Sequence, residues 1–281
     1  MKESFNKLKV FFYSALGLSL LSAILFTISM FIAFDSDIGY FSSAHILPTI
    51  QAALIIVSVL FFASIAFIIP KNTLPREGGS GTSISVFASL FCGIVFIIGT
   101  AIKFLSTYQS TANMVPMQKY LFVAIIISGL ISAAYFIYEA FTPDNSGISS
   151  KVISGIFVIV NFLATIVFEH IDYYTPINAP RKVLLFIGFA SASMFMVQEF
   201  RRKTEILLPR AYIFFGSTTI LVCAAMSISG LVAHYAGAFK CSSFLVYYLI
   251  GLALAIYASA KIFTYISSIE SNTQDTNEIE E

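Results

Sequence analysis

Ile84-Ser85-Val86-Phe87-Ala88-Ser89-Leu90-Phe91-Cys92-Gly93-Ile94-Val95-Phe96-Ile97-Ile98-Gly99-Thr100-Ala101-Ile102 runs for nineteen residues without an ionisable side chain. A helix rises about 1.5 Å per residue, so roughly 20 such residues cross the bilayer's hydrocarbon. A barrel strand uses only about 9–11 residues of alternating polarity, and this stretch is longer and continuously apolar. It reads as a membrane-spanning helix.

The same reading extends in both directions. Toward the N-terminus lie Val10–Phe34 and Ile46–Ile69. Beyond it lie Tyr120–Phe141, Val152–Phe168, Val183–Phe200, Ala211–Ala233 and Ser243–Ile269. Gln198 and Glu199 close the sixth run and make it the weakest. The first run exceeds the 7–15 apolar residues of a signal-peptide core and shows no small-x-small cleavage site before Asp35. The expectation is an all-α polytopic integral membrane protein with eight spans.

Composition agrees. Over 281 residues the chain is 58% hydrophobic and 11% charged, against about 25% charged in soluble domains. Sixteen Lys and Arg balance fifteen Asp and Glu, so no basic footprint for nucleic acid exists. Three cysteines without metal-like spacing exclude a zinc ribbon and a disulfide framework. The partner to expect is the lipid bilayer, with no nucleic acid and no cofactor.

Basic residues in loops set orientation. With the N-terminus inside, eleven Lys and Arg fall on the inner side and five on the outer. Both termini are therefore expected in the cytoplasm, with the protein in the cell membrane. The tail 270–281 is acidic and nearly devoid of apolar residues, which suggests disorder.

Comparing the chain with itself suggests an internal repeat. Phe34-Asp35 with Tyr40 reappears as Phe168-Glu169 with Tyr174, and Leu74-Pro75-Arg76 as Leu208-Pro209-Arg210, both at an offset of 134. Cys92 matches Cys223 at 131, and Tyr135 with Glu139 matches Tyr257 with Lys261 at 122. An even unit implies a parallel 4+4 duplication, with halves 1–141 and 142–269 and a cleft between them.

Asp37-Ile38-Gly39-Tyr40-Phe41, Asn178-Ala179-Pro180-Arg181-Lys182 and Glu199-Phe200-Arg201 together resemble a group of uncharacterised multi-pass membrane proteins from gut Clostridia and their relatives. The resemblance implies a bacterial membrane layout. No established activity attaches to that group, so it implies no mechanism.

Ionisable residues inside spans are functional hypotheses by default. Within the runs as drawn, apart from Glu199 at the end of the sixth, only Glu139 and Lys261 lie near a boundary, and Asn161 is the main polar residue near a centre. A proton-driven pump therefore lacks its parts. Glu139 and Lys261 occupy matching positions, and an ion pair between them would tie the halves together; separate snorkelling to the interface is the rival reading. At the outer face, Asp35, Tyr40, Glu169, Tyr174 and His234 form a rim that either contacts a ligand at the mouth of a cleft or serves as an interfacial aromatic belt. His45, His170 and His234 share that side, but no metal-ligand spacing is present.

Two function classes follow. The first is a small-solute or lipid carrier, using a cleft between halves. The second is a non-catalytic subunit or regulator that packs against an unidentified membrane protein. An enzyme ranks below both, because no catalytic constellation appears.

Overall fold

The computed structural model describes residues 2–35, 40–42, 44–68, 83–108, 111, 114–142, 147–172, 179–204, 206–237 and 242–280. Among them are eight α-helices: α1 (Lys2–Ile32), α2 (Leu47–Ile68), α3 (Ser83–Tyr108), α4 (Pro116–Phe141), α5 (Ile148–Ile171), α6 (Pro180–Lys203), α7 (Pro209–Tyr235) and α8 (Ser242–Glu280). All eight are long and apolar enough to span a membrane. A helix satisfies its own backbone polar groups, the one requirement hydrocarbon imposes on any spanning segment outside a closed barrel. Proline opens α4, α6 and α7, where its missing N–H costs nothing.

Six of the helices close on themselves. α3 packs on α4, α4 on α5, α5 on α6, α6 on α7, α7 on α8, and α8 returns to α3. α1 lies outside this ring against α7 and α8, and α2 lies against α1 and α7. Burial follows the arrangement, with 78% of the apolar stretch of α7 buried and 28% of that of α2. The described helices thus group as an outer pair and a ring of six. The boundary drawn at 141/142 falls inside the ring, between α4 and α5.

Aromatic rings fill the axis. Phe96 of α3 reaches Phe162 of α5 at 6.1 Å between centroids, and Phe136 of α4 meets Tyr257 of α8 at 5.1 Å. Phe162 meets Phe189 at 5.1 Å, and Phe195 of α6 approaches Tyr257 at 6.4 Å. These contacts bridge across the ring as well as along its wall. Close approach needs small residues at the wall: a Cβ at Gly155 would enter the ring of Phe200, and one at Gly230 the ring of Tyr248.

α1 begins and α8 ends on one face, as the contact between Phe12 and Phe263 records (6.1 Å); we call it the terminus face. On the opposite face a two-residue hairpin, β1 (Phe34–Asp35) and β2 (Tyr40–Phe41), pairs antiparallel. Its Phe41 packs against Phe26 of α1 at 5.7 Å. One expectation changes here. α8 continues as a helix through Glu280 instead of ending near Ile269. The nucleus of that helix already stands in the span, so each further turn needs only propagation.

Candidate functional site

Buried charge collects at both ends of the ring. At the terminus face, α4 delivers Glu139, α6 delivers Glu199 and Lys203, and α8 delivers Lys261, all buried. Lys203 Nζ stands 2.5 Å from Glu139 Oε1, and Lys261 Nζ stands 3.1 Å from the same oxygen. Lys261 also reaches Glu199 Oε1 at 3.7 Å, while Arg202 pairs with that oxygen at 2.8 Å. Tyrosines close the remaining positions. Tyr257 donates to Glu139 Oε2 (2.8 Å), Tyr212 donates to Glu199 Oε2 (3.0 Å), and Lys203 donates to the Tyr135 hydroxyl (3.0 Å). Five helices meet here, since Ser89 of α3 also points its hydroxyl at Glu139 Oε2 (3.4 Å).

Helical periodicity explains how so few residues build this network. Tyr135 and Glu139, Glu199 and Lys203, and Tyr257 and Lys261 are each four apart, so both members of each pair share one helix face. Three such faces turned toward one axis give the cluster.

The hairpin face carries a smaller version. Lys103 of α3 donates to the Tyr247 hydroxyl of α8 (2.5 Å) and lies 3.4 Å from Glu169 Oε1 of α5. Tyr247 in turn donates to Glu169 Oε1 (2.6 Å). The ammonium of Lys103 also sits over the rings of Phe168 (4.7 Å) and Tyr247 (4.8 Å). Beside this triad, Lys182 of α6 donates to the carbonyls of Glu169 (2.7 Å) and Asp172 (2.9 Å), capping the C-terminal end of α5. The Arg181 guanidinium lies between the rings of Phe34 and Phe244, 5.1 Å from each.

Along α8, Tyr247 and Lys261 are fourteen residues apart, about 21 Å of helix. The aromatic axis occupies that interval. The chain matches no family model, no curated protein and no solved structure. The arrangement must therefore be read from its own chemistry.

The residues singled out from sequence are distributed unevenly. Glu139 and Lys261 meet within the larger cluster. Glu169 points into the ring, toward Lys103 and Tyr247, rather than lying on an outer rim. Asp35 is exposed on the hairpin opposite half-buried Tyr40. His234 is half-buried at the end of α7, against the Tyr235 ring at 5.5 Å. Tyr174 lies outside the described residues. His45 and His170 are exposed, and no group of three His, Cys, Asp or Glu among the described residues is placed to hold a metal ion. Asn161 ties α5 to α4, donating to the Ile125 carbonyl (2.9 Å) and the Ser128 hydroxyl (3.1 Å).

The expectation that the spans hold almost no ionisable residues is corrected. Lys103, Lys182, Glu199 and Lys203 join Glu139, Glu169 and Lys261 inside the helices, buried by neighbouring helices. The apolar runs stop short of Lys103, Glu169 and Lys203 and begin after Lys182, whereas the helices include all four.

Proposed function

We propose that the chain is a carrier for a small solute, with the six-helix ring as its moving part and its two Lys–Glu–Tyr clusters as gates. In this reading both termini face the cytoplasm, so the larger cluster is the inner gate and the triad the outer one. The observation that carries the proposal is the placement of polar, breakable networks at both ends of a single axis.

Packing alone gives no reason for such networks. Replacing a buried ion pair with well-fitted apolar side chains is often neutral or stabilising, so a passive scaffold gains little from burying Glu139, Glu199 and Glu169 with their lysines. An alternating carrier has a use for them. Its gates must hold firmly in one state and exchange their partners for water in another, and intramembrane ionisable residues commonly mark such pathways. The arrangement with both clusters paired and the aromatic axis packed corresponds to an occluded state.

Cys92 offers a reporter. It is buried midway along α3, where its thiol donates to the Ala253 carbonyl of α8 (3.1 Å). With Cys223 and Cys241 replaced by alanine and serine, a membrane-impermeant thiol reagent reads access to the ring. Glu139→Gln should speed labelling from the terminus face, and Glu169→Gln from the hairpin face. A folded, monodisperse protein in which neither substitution changes labelling from either side is a static assembly, and the carrier reading then fails.

A further inference from the structure

A groove of about 400 Å³ lies on the side of the ring, where α1 and α3 both flank α8 and share at most a grazing contact. Phe12 and Leu16 of α1 and Phe87 of α3 form its walls, and Ala224 of α7 with Ala255 and Phe263 of α8 lies along its floor and end. The lining is apolar apart from two serine hydroxyls, and every lining residue belongs to a spanning helix. An empty hollow of this kind forfeits dispersion contacts along its whole lining. The medium it faces is hydrocarbon.

Dimensions decide what fills it. On α8 the lining runs from Leu252 to Phe263, about 16 Å at 1.5 Å per residue, close to the depth of one leaflet. Spread over that length, 400 Å³ of space open to the centre of a water-sized sphere makes a channel about 8 Å across once the sphere's own radius of about 1.4 Å is added on each side, and a helix with its side chains is about 10–12 Å across. A polymethylene chain fits, since carbons pack at about 4 Å.

Position along the helices gives the leaflet and the headgroup. The groove reaches the terminus-face half of α1, α3 and α8. Lys9 stands three residues before Phe12, in the stripe 9, 12, 16 and 19 of α1 and at the start of the first span, so it shares the groove's side of the helix, and a lysine there snorkels toward the leaflet surface. We infer that the groove is a binding site for one acyl chain of an anionic phospholipid from the terminus-face leaflet, with the lipid phosphate directed toward Lys9. The inference is independent of the carrier reading, because it concerns the ring's flank rather than its axis.

The chain contains no tryptophan, so one introduced indole reports on its own surroundings. Phe12→Trp places it in the groove wall, and Ile56→Trp, on the exposed side of α2, reports bulk lipid. Each variant is reconstituted in phosphatidylcholine vesicles containing increasing phosphatidylglycerol with brominated chains, which quench indole on contact. Phe12→Trp should reach half-quenching at about one-fifth the mole fraction that Ile56→Trp needs, the preference expected from one basic residue at an anionic headgroup. Ala255→Phe, or Ala224→Leu should the first variant fail to fold, should fill the floor and abolish the preference. Lys9→Gln should bring brominated phosphatidylglycerol and brominated phosphatidylcholine to the same curve. Coincident curves for Phe12→Trp and Ile56→Trp, or quenching unchanged by a folded groove-filling variant, would overturn the site. A headgroup preference that survives Lys9→Gln would overturn the placement of the phosphate.

Discussion

The two ends of the ring share Lys, Glu and Tyr and differ in redundancy. At the terminus face each carboxylate has several partners: Glu139 meets Lys203, Lys261 and Tyr257, and Glu199 meets Arg202, Lys261 and Tyr212. At the hairpin face Glu169 faces one lysine across the axis, at 3.4 Å, with Tyr247 bridging them. A network with shared partners loses one contact and keeps its remaining charges satisfied, provided the lost member is not the hub. A triad has no such reserve, but it also holds fewer charges to strand. In the carrier reading the hairpin face is therefore the end that opens more readily.

Removing the hub gives the largest expected effect. Glu139→Gln takes the paired carboxylate from Lys203 and the nearer of two from Lys261, which keeps Glu199 at 3.7 Å, and losing one partner of a buried pair costs about 3–5 kcal/mol. The apparent melting temperature in detergent should fall further for this variant than for any other in either cluster. Glu169→Gln should cost less, at the lower end of that range of about 3–5 kcal/mol, because it leaves one ammonium, Lys103, without its carboxylate and Tyr247 still accepts from Lys103. Reversal of that order would mean that redundancy does not set the strength of the two ends.

Much of this contrast is invisible in the sequence for a physical reason. Spans were read from runs of apolar residues, and that signal found all eight helices because hydrocarbon demands length and apolarity. The same signal ends a span at Ile102, before Lys103, and at Phe168, before Glu169. Hydropathy assigns a charge its isolated cost, whereas Lys103 and Glu169 are buried together by helices 66 residues apart in the chain. Glu139 and Lys261 are legible because they stand inside apolar runs, whereas Glu199 reads as the polar end of one. One local signal was available: the three pairs of polar residues four apart, on α4, α6 and α8, mark polar faces within apolar helices. Nothing local shows that those faces converge, or that α1 and α2 stand outside a ring of six.

The lysines that share Glu139 should separate next. Lys203→Ala removes the shorter contact and the donor to Tyr135, so it should destabilise more than Lys261→Ala, whose loss Arg202 partly covers at Glu199. Lys119→Ala, at an exposed position on α4, should leave the melting temperature unchanged. Exchanging charges as Glu139→Lys with Lys261→Glu should fail to restore stability. Lys203 lies 2.5 Å from the carboxylate at position 139, and the exchange sets two like charges there. Full recovery would mean that Lys261 alone is the partner of Glu139.

The smallest effects compare the tyrosines. Tyr257→Phe and Tyr247→Phe each delete one hydroxyl from a buried position without changing its ring packing, and a hydrogen bond to a charged group contributes about 1.5–3 kcal/mol. At Tyr257 the lost donor faces an oxygen that Ser89 also approaches, so Glu139 keeps both lysines and a hydroxyl. At Tyr247 the hydroxyl is at once acceptor for Lys103 and donor to Glu169, and its loss leaves the 3.4 Å ion pair to join those two residues directly. Tyr247→Phe should therefore cost more than Tyr257→Phe, and it should speed Cys92 labelling from the hairpin face without changing labelling from the terminus face. Equal costs, measured as melting shifts on the same day in the same detergent, would show that the bridging hydroxyl adds nothing beyond its ring. The two ends would then differ only in how many charges they hold.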